Sequence, residues 1–145
     1  MIKRVLVVCI GNICRSPMAE AKLRQALPEM QVESAGLGAL VGRPADSMAT
    51  DLMTEAGLNI HQHRAQQLTQ ALASQADMIL VMDSEQKREI QRRYPSASGK
   101  VFRLGEVGKF DIPDPYRQPR SAFEHVLQLI QQGVEAWVPR IRALG

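Results

Sequence analysis

The sequence predicts an α/β fold, with one domain over residues 1–145 and a four-stranded parallel sheet that carries helices on both faces. Two runs dominated by apolar residues, at 5–8 and 77–82, are continuous rather than alternating, as in strands that are buried on both faces. Segments with a helical spacing of apolar residues separate the predicted strands, and this alternation favours a parallel sheet with right-handed crossovers. A chain of 145 residues is also long enough to bury one sizeable core.

Two shorter strands, at 32–36 and 101–104, complete the predicted sheet. Ser16 is the expected N-cap of the first helix, with Pro17 in the first turn, and Ser84 is the expected N-cap of the fourth. Pro139 is expected to kink or fray the last helix. The predicted helices are 17–27, 44–56, 69–74, 84–94 and 121–144, and the predicted loops include an exposed Gly-rich segment at 37–43 and a segment at 106–118.

The composition is that of an ordinary globular protein, with 45% hydrophobic and 23% charged residues. The formal charge of +3 is small and the basic residues are scattered, so a nucleic-acid-binding surface is not supported.

No apolar run approaches the roughly 20 residues of a membrane-spanning helix, so no membrane insertion is expected. The apolar start of the chain stops at Ile10 and meets Arg15 without a signal-peptide cleavage site, which predicts a cytoplasmic protein.

The most informative stretch is V-L-V-V-C-I-G-N-I-C-R-S-P-M-A-E, from Val5 to Glu20, in which a strand, a tight loop and a helix follow one another. The loop closes on the N-terminus of the helix, where unpaired N–H groups and the helix dipole favour an anion. Arg15 adds a planar fork of donors that matches two oxygens of a phosphate. Cys9 lies in the same electropositive surroundings, which favour the thiolate. The stretch therefore predicts a phosphate-binding loop after the first strand, with a nucleophilic cysteine at its base.

The alternative for Cys9 is a buried structural cysteine at the end of a strand. The spacing C-x5-R, with Gly11 inside it and Ser-Pro after it, favours the phosphate-loop interpretation. A Walker loop is excluded because its Gly-Lys-Ser/Thr ending is absent. Cys9 and Cys14 are too close in sequence for a useful structural disulfide, and the histidines lie too far along the chain to suggest a zinc site.

A cysteine that attacks a phosphate monoester needs a general acid for the leaving oxygen. The segment D-I-P-D-P-Y offers two candidates, Asp111 and Asp114. Asp114 lies between two prolines, which fix the backbone and hold a carboxyl group in one direction. A plain proline turn explains the same segment equally well, so the residues alone leave both interpretations open.

The segments C-I-G-N-I-C-R-S-P-M-A-E and D-P-Y together resemble the low-molecular-weight protein tyrosine phosphatases, and the resemblance covers nearly the whole chain. Segments 36–42 and 114–117 further resemble the bacterial branch tied to exopolysaccharide export, whose partners are autophosphorylating tyrosine kinases. The resemblance implies hydrolysis of phosphotyrosine through a phosphocysteine intermediate, with no cofactor and no metal.

By this resemblance Cys9 is the nucleophile and Arg15 binds the transition state, while Asp114 is first the acid and then the base. Asn12 is implied to brace the loop in a strained conformation, and Ser16 to donate a hydrogen bond to the thiolate. The other loop residues are implied to contribute to phosphate and substrate binding: Ile10, Gly11, Ile13 and Cys14.

Around the loop, the resemblance implies that Tyr116 and Leu40 form walls for the substrate ring, and that His63 supports the loop asparagine. It also implies that Cys14 can form a reversible disulfide with the nucleophile. One departure concerns the arginine often found three residues after the histidine, which is Gln66 here and weakens the expectation for His63.

Three other functions are less well supported. Arsenate reduction relays a disulfide through a third cysteine, and the sequence has no cysteine after Cys14. In the related phosphoarginine phosphatases the residue before the second cysteine is expected to be Thr. The bulky apolar Ile13 at this position favours an aromatic phosphoester instead. A non-catalytic phosphotyrosine-binding module would need neither a nucleophile nor an acid, so Cys9 and Asp114 speak against it.

Overall fold

The computed structural model describes residues 1–144 and confirms a four-stranded, fully parallel sheet with the strand order β2-β1-β3-β4. Strand β1 lies in the interior of the sheet, pairing Cys9 with Gly36 on one side and Val8 with Val81 on the other. The strands are β1 (Arg4–Cys9), β2 (Gln31–Gly36), β3 (Met78–Val81) and β4 (Val101–Arg103).

Helices cover both faces of the sheet, as the sequence predicts, because side chains alternate along the strands. Val5 and Val7 of β1 face one cluster of buried residues, and Leu6 and Val8 face the other. The first cluster includes residues of α1, α2 and α5, and the second includes residues of α3 and α4. The helices are α1 (Arg15–Ala26), α2 (Ser47–Glu55), α3 (Gln70–Gln75), α4 (Ser84–Arg93) and α5 (Arg120–Leu144).

The predicted N-cap of the first helix is wrong. Helix α1 begins at Arg15, so Ser16 already lies within it, and Cys14 precedes it without a side-chain cap. The reason is competition for one hydroxyl, since the Ser16 Oγ contacts the side chains of Cys9 and Asn12 instead of a backbone N–H at the helix start.

Two other helices have an aspartate N-cap that the sequence reasoning did not assign. The N-cap of α4 is Asp83 rather than Ser84, because the Asp83 carboxylate accepts a 2.8 Å bond from a backbone N–H of the first turn. Helix α2 begins at Ser47 rather than at 44, because Asp46 caps it in the same way.

Prolines and loops account for the other differences. Helix α5 continues through Pro139 to Leu144, where a kink or fraying was expected. Pro95 begins a 3₁₀ helix (Pro95–Lys100) that the sequence reasoning did not assign. The segment 37–43, expected to be exposed, begins with a buried residue, since Leu37 is 5% exposed. Within residues 1–144 there is no helix of the length and apolarity that crossing a bilayer would require.

The carboxyl edge of the sheet is where the fold brings distant segments together, as is usual for parallel sheets. Cys9 ends β1, and Asp83 follows β3 at the same edge. The segment between β4 and α5 returns to this edge, because the backbone N–H of Ile112 donates a 2.8 Å hydrogen bond to the carbonyl of Met82. Residues far apart in sequence therefore meet beside the loop that follows β1.

Candidate active site

The loop after β1 directs its carbonyl groups away from its own concave side. Each carbonyl oxygen from Cys9 to Ile13 accepts a hydrogen bond from a neighbouring segment, over distances of 2.6–3.1 Å. Among the described residues, no acceptor is bound by the backbone N–H groups of 11–14, which are left free for an anion. The donors, in the order of the carbonyls, are the backbone N–H groups of Leu37, Gly38 and Leu40, the His63 Nε2 and the backbone N–H of Asp46.

Asn12 holds this conformation. Its φ of 59° is in the left-handed region, which costs most L-residues roughly 1–2 kcal/mol and which Asn tolerates better than most. The fully buried side chain uses its donors and acceptor, since Nδ2 donates to the Oγ of Ser16 (2.8 Å) and of Ser34 (3.0 Å). Its Oδ1 accepts from the backbone N–H of Gln66 at 2.9 Å. The turn of the loop is therefore fixed by bonds to three different segments.

The residues that hold Asn12 are themselves held by further hydrogen bonds. The Ser34 hydroxyl donates to the Glu20 carboxylate, which also pairs with Arg24 at 2.9 Å. Gln66, at the position where the resemblance implies an arginine, donates its side-chain amide to the Ser34 carbonyl at 2.9 Å. His63 donates from Nε2 to the Asn12 carbonyl at 2.6 Å, so its predicted supporting contact is present despite the departure at Gln66.

The Cys9 thiol faces a single hydroxyl, with 2.9 Å between its Sγ and the Ser16 Oγ. The Ser16 oxygen already accepts from Asn12, so its own proton is available to the sulfur. A hydrogen bond donated to sulfur stabilises the thiolate, and the adjacent N-terminus of α1 acts in the same direction.

Arg15 is 3% exposed and is fixed by one of its nitrogens. Nη1 donates to the carbonyl of Ile112 at 2.9 Å and lies 3.6 Å from the Asp83 carboxylate. Nη2 lies 3.9 Å from the Asp114 carboxylate, whereas Nε is buried and has no partner within residues 1–144. An unpaired buried N–H costs about 1–3 kcal/mol, so the Nε of Arg15 is a donor available to an anion.

A cavity of about 180 Å³ opens above the loop. Cys9, Cys14 and Arg15 contribute to its lining, together with Asp114, which is 54% exposed and accepts a 3.0 Å bond from the Tyr116 N–H. The other lining residues are apolar side chains and glycines: Ile10, Ile13, Leu40, Tyr116, Gly11 and Gly38. The cavity thus combines a thiol and cationic base with apolar walls and a carboxylate.

The structure separates the two aspartates that the sequence left open. Asp114 lines the cavity, whereas Asp111 does not. The Asp111 carboxylate accepts from Arg103 at 2.9 Å and from Ser84 at 3.3 Å. Asp114 is therefore the aspartate placed to exchange a proton with a group bound in the cavity.

Cys14 is a buried free thiol, like Cys9, and is 4% exposed. Burial strongly raises the pKa of the Cys14 thiol. The negative charges of Asp46, Cys9 and Asp114 raise this pKa further, and the positive charge of Arg15 lowers it by a smaller amount. Cys14 is therefore neutral at pH 7. No three His, Cys, Asp or Glu side chains of residues 1–144 converge as a metal site.

Comparison with known proteins agrees with this geometry. Residues 4–144 match the family described as low molecular weight phosphotyrosine protein phosphatase. The chain belongs to this family. A probable low molecular weight protein-tyrosine-phosphatase, EpsP of Ralstonia nicotianae, is 64% identical over 145 residues, which is 100% of both chains.

Solved structures of this family superpose closely on the chain. Vibrio vulnificus Wzb in complex with benzylphosphonate has a TM-score of 0.94 at 43% identity and covers 97% of this chain and 99% of its own. The YwlE arginine phosphatase from Geobacillus stearothermophilus has a TM-score of 0.91 at 32% identity, covering 97% and 94%. The fold class predicted from the sequence is thereby the fold of the family.

The sequence reasoning missed four residues around the site of this phosphatase. Ser34 lies two residues before the carboxyl end of β2 and Asp83 two residues after that of β3, so the rule that ligands bind at that edge could have identified them. Glu20 acts only through Ser34, and Ile112 acts through its backbone, so neither gives a recognisable signal in the sequence.

We predict that the conformation and the hydrogen bonds of Asn12 contribute separately to stability. Asn12→Gly keeps access to a positive φ but removes the side-chain bonds, and we expect it to lower the free energy of unfolding by about 2–3 kcal/mol. Asn12→Ala also makes the φ of 59° unfavourable, and we expect a further loss of about 1 kcal/mol. Urea denaturation followed by circular dichroism measures both, and equal losses would contradict the role of the backbone conformation.

We also predict a pH dependence of stability from Cys14. Because the folded state raises the pKa of this thiol, above about pH 8.5 the unfolded chain releases the proton while the folded chain retains it. The stabilisation is present below that pH and declines as the pH rises. Between pH 8 and pH 10 we expect the free energy of unfolding to fall by about 2 kcal/mol more in the wild type than in Cys14→Ala. Parallel curves for the two proteins would show that Cys14 does not contribute.

Proposed function

We propose that this protein is a protein-tyrosine phosphatase that hydrolyses phosphotyrosine through a phosphocysteine intermediate. The observation that carries the proposal is the cavity in which the Cys9 thiol, the free N–H groups of 11–14 and the unpaired Nε of Arg15 converge opposite Asp114. These groups are what an in-line displacement at phosphorus requires: a nucleophile, donors for the equatorial oxygens and an acid for the leaving group.

In the first step, the Cys9 thiolate attacks phosphorus and the bond between phosphorus and the phenolic oxygen breaks. Asp114 gives its proton to that oxygen, so that neutral tyrosine leaves. The backbone N–H groups, the Nε and the Nη2 of Arg15 donate to the equatorial oxygens, where negative charge is concentrated in the transition state. Nη1 keeps its bond to the Ile112 carbonyl and fixes the guanidinium.

In the second step, water attacks the phosphocysteine and the sulfur–phosphorus bond breaks. Asp114, now ionised, accepts a proton from the water, and inorganic phosphate is released. Ser16 donates a hydrogen bond to the departing thiolate, which makes Cys9 a better leaving group. Asn12 and His63 keep the loop in place and do not touch the reacting atoms.

We assign the apolar walls of the cavity to the ring of phosphotyrosine. Ile10, Ile13, Leu40 and Tyr116 offer contacts for a flat ring, and none of them carries a charge to pair with a phosphorylated guanidinium. The similar Vibrio structure contains benzylphosphonate, a phosphonate with an aromatic ring. A similar structure is an arginine phosphatase, so phosphoarginine is the comparison substrate against which this preference is measured.

We further propose that the substrate is an autophosphorylated bacterial tyrosine kinase that controls exopolysaccharide production, and that both proteins act in the cytoplasm. The proposal rests on the resemblance of segments 36–42 and 114–117 to that branch of the family. The test is dephosphorylation of the tyrosine-rich tail of a co-encoded kinase.

Cys14 would protect the nucleophile, since a sulfenic acid formed on Cys9 by peroxide can condense with the Cys14 thiol to a disulfide with release of water.

We predict that the wild type hydrolyses para-nitrophenyl phosphate and phosphotyrosine peptides, and that Cys9→Ser reduces kcat by at least about 10⁴-fold because a serine hydroxyl is not ionised here. Cys14→Ser is the matched control, since it changes a second thiol in the same cavity. A wild type that binds phosphotyrosine without turnover would support a binding module instead. Faster hydrolysis of phosphoarginine than of phosphotyrosine would reassign the substrate.

We predict that Asp114→Asn lowers kcat by about 10²–10³-fold, within the range expected for loss of a general acid. Asp111→Asn is the matched control in the same loop, and we expect a change of less than about fivefold because Asp111 is bonded to Arg103 outside the cavity. The loss in Asp114→Asn should be largest for substrates with a poor leaving group. Equal losses in the two variants would reassign the acid.

A further inference from the structure

Arg117 stacks on Tyr116, one of the residues that line the cavity. The guanidinium carbon is 5.2 Å from the centroid of the Tyr116 ring, within the distance of a cation–π interaction. Tyr116 itself contributes to the cavity lining. Because Tyr116 lines the cavity, the exposed Arg117 side chain is held beside one of the cavity walls.

The backbone at Arg117 is not what folding alone would select. Arg117 has a φ of 63° and is the third residue of a turn that the Gln118 N–H closes by a 2.8 Å hydrogen bond to the Pro115 carbonyl. Glycine or asparagine usually takes a positive φ at such a position. An arginine here adds conformational strain, and its exposed side chain adds no core contact. Its presence is better explained by recognition than by stability.

The charge of Arg117 is also unpaired within the described residues. The three carboxylates between β4 and α5 are engaged elsewhere. Glu106 pairs with Lys87 at 3.3 Å and with Arg103 at 3.1 Å, and Asp111 pairs with Arg103 at 2.9 Å. Asp114 lies 3.9 Å from Arg15 and accepts from the Tyr116 N–H. No other carboxylate of residues 1–144 lies within 4.0 Å of the Arg117 guanidinium nitrogens. A planar fork of donors is thus free beside the cavity wall.

We propose that Arg117 recognises an anionic side chain next to the phosphotyrosine of the substrate chain. This inference rests on the function proposed above and adds a preference for acidic surroundings to it. Consecutive residues of an extended chain are about 3.3–3.6 Å apart, so residues immediately before or after the phosphotyrosine fall within reach of a guanidinium beside the cavity wall. The contact selects among peptide substrates and takes no part in the chemical step.

The test uses phosphotyrosine peptides that are identical except at the residue after the phosphotyrosine, which is Glu, Gln or Lys, and a second set with these changes at the residue before it. In at least one set we expect kcat/KM for the wild type to be about threefold higher with Glu than with Gln, as for an exposed ion pair, and lower still with Lys. In Arg117→Gln the ratio of Glu to Gln should fall to about one. The ratio between peptides cancels any general effect of the substitution on the Tyr116 ring.

Two further variants sharpen the result. Arg117→Lys keeps the charge but not the fork, and should retain part of the preference. Arg140→Gln removes the same charge from the exposed end of α5, which lies near the start of β1 and thus at the opposite edge of the sheet, and should retain all of it. A preference that Arg117→Gln leaves intact, or a wild type that hydrolyses para-nitrophenyl phosphate and all peptides without preference, overturns this inference alone. A wild type that hydrolyses neither class overturns the proposed function and this inference with it.

Discussion

The site depends on one backbone constraint, namely that the loop after β1 turns its carbonyl groups outward. Five neighbouring donors hold those carbonyls, and the left-handed Asn12 turns the chain, while the N–H groups of 11–14 bind no acceptor among the described residues. A flexible loop would have to order itself around each anion and would lose conformational entropy in doing so. Here the loop is already ordered when the protein folds, so the donors are in place before charge develops in the transition state.

A second constraint links the two halves of the site. Ile112 donates its N–H to the carbonyl of Met82 at the end of β3 and accepts with its own carbonyl from Nη1 of Arg15. Its side chain is fully buried, so this short piece of backbone cannot move without disturbing the core. Asp114 is two residues further on and is therefore fixed relative to Arg15. The position of the acid thus follows from the sheet, although no strand contains it.

How far the sequence could predict this molecule depends on how local each feature is. The strands and the run from Cys9 to Ser16 are local patterns, and the structure contains both. The choice between Asp111 and Asp114 needed the fold, because the partners of Asp111 are Arg103 and Ser84, which are 8 and 27 residues away and whose contacts no local pattern indicates. The error at Ser16 has the same origin, since a hydroxyl that could cap a helix is used by Cys9 and Asn12 once the loop is folded. The partners of the loop carbonyls were likewise invisible, because each lies in a segment whose approach is set by tertiary packing.

The departure at Gln66 shows how the support of the loop can change its chemistry and keep its geometry. The backbone N–H of Gln66 donates to the Asn12 Oδ1, and no substitution of the Gln66 side chain short of proline removes this donor. The Gln66 side chain instead fixes Ser34 through its carbonyl, and Ser34 in turn donates to the Glu20 carboxylate. A neutral amide thus stands where the resemblance implies a cation, while Glu20 orients the Ser34 hydroxyl so that its oxygen accepts from Asn12. The donor that Asn12 needs is supplied by the main chain, so the Gln66 side chain is available to bond to the Ser34 carbonyl instead.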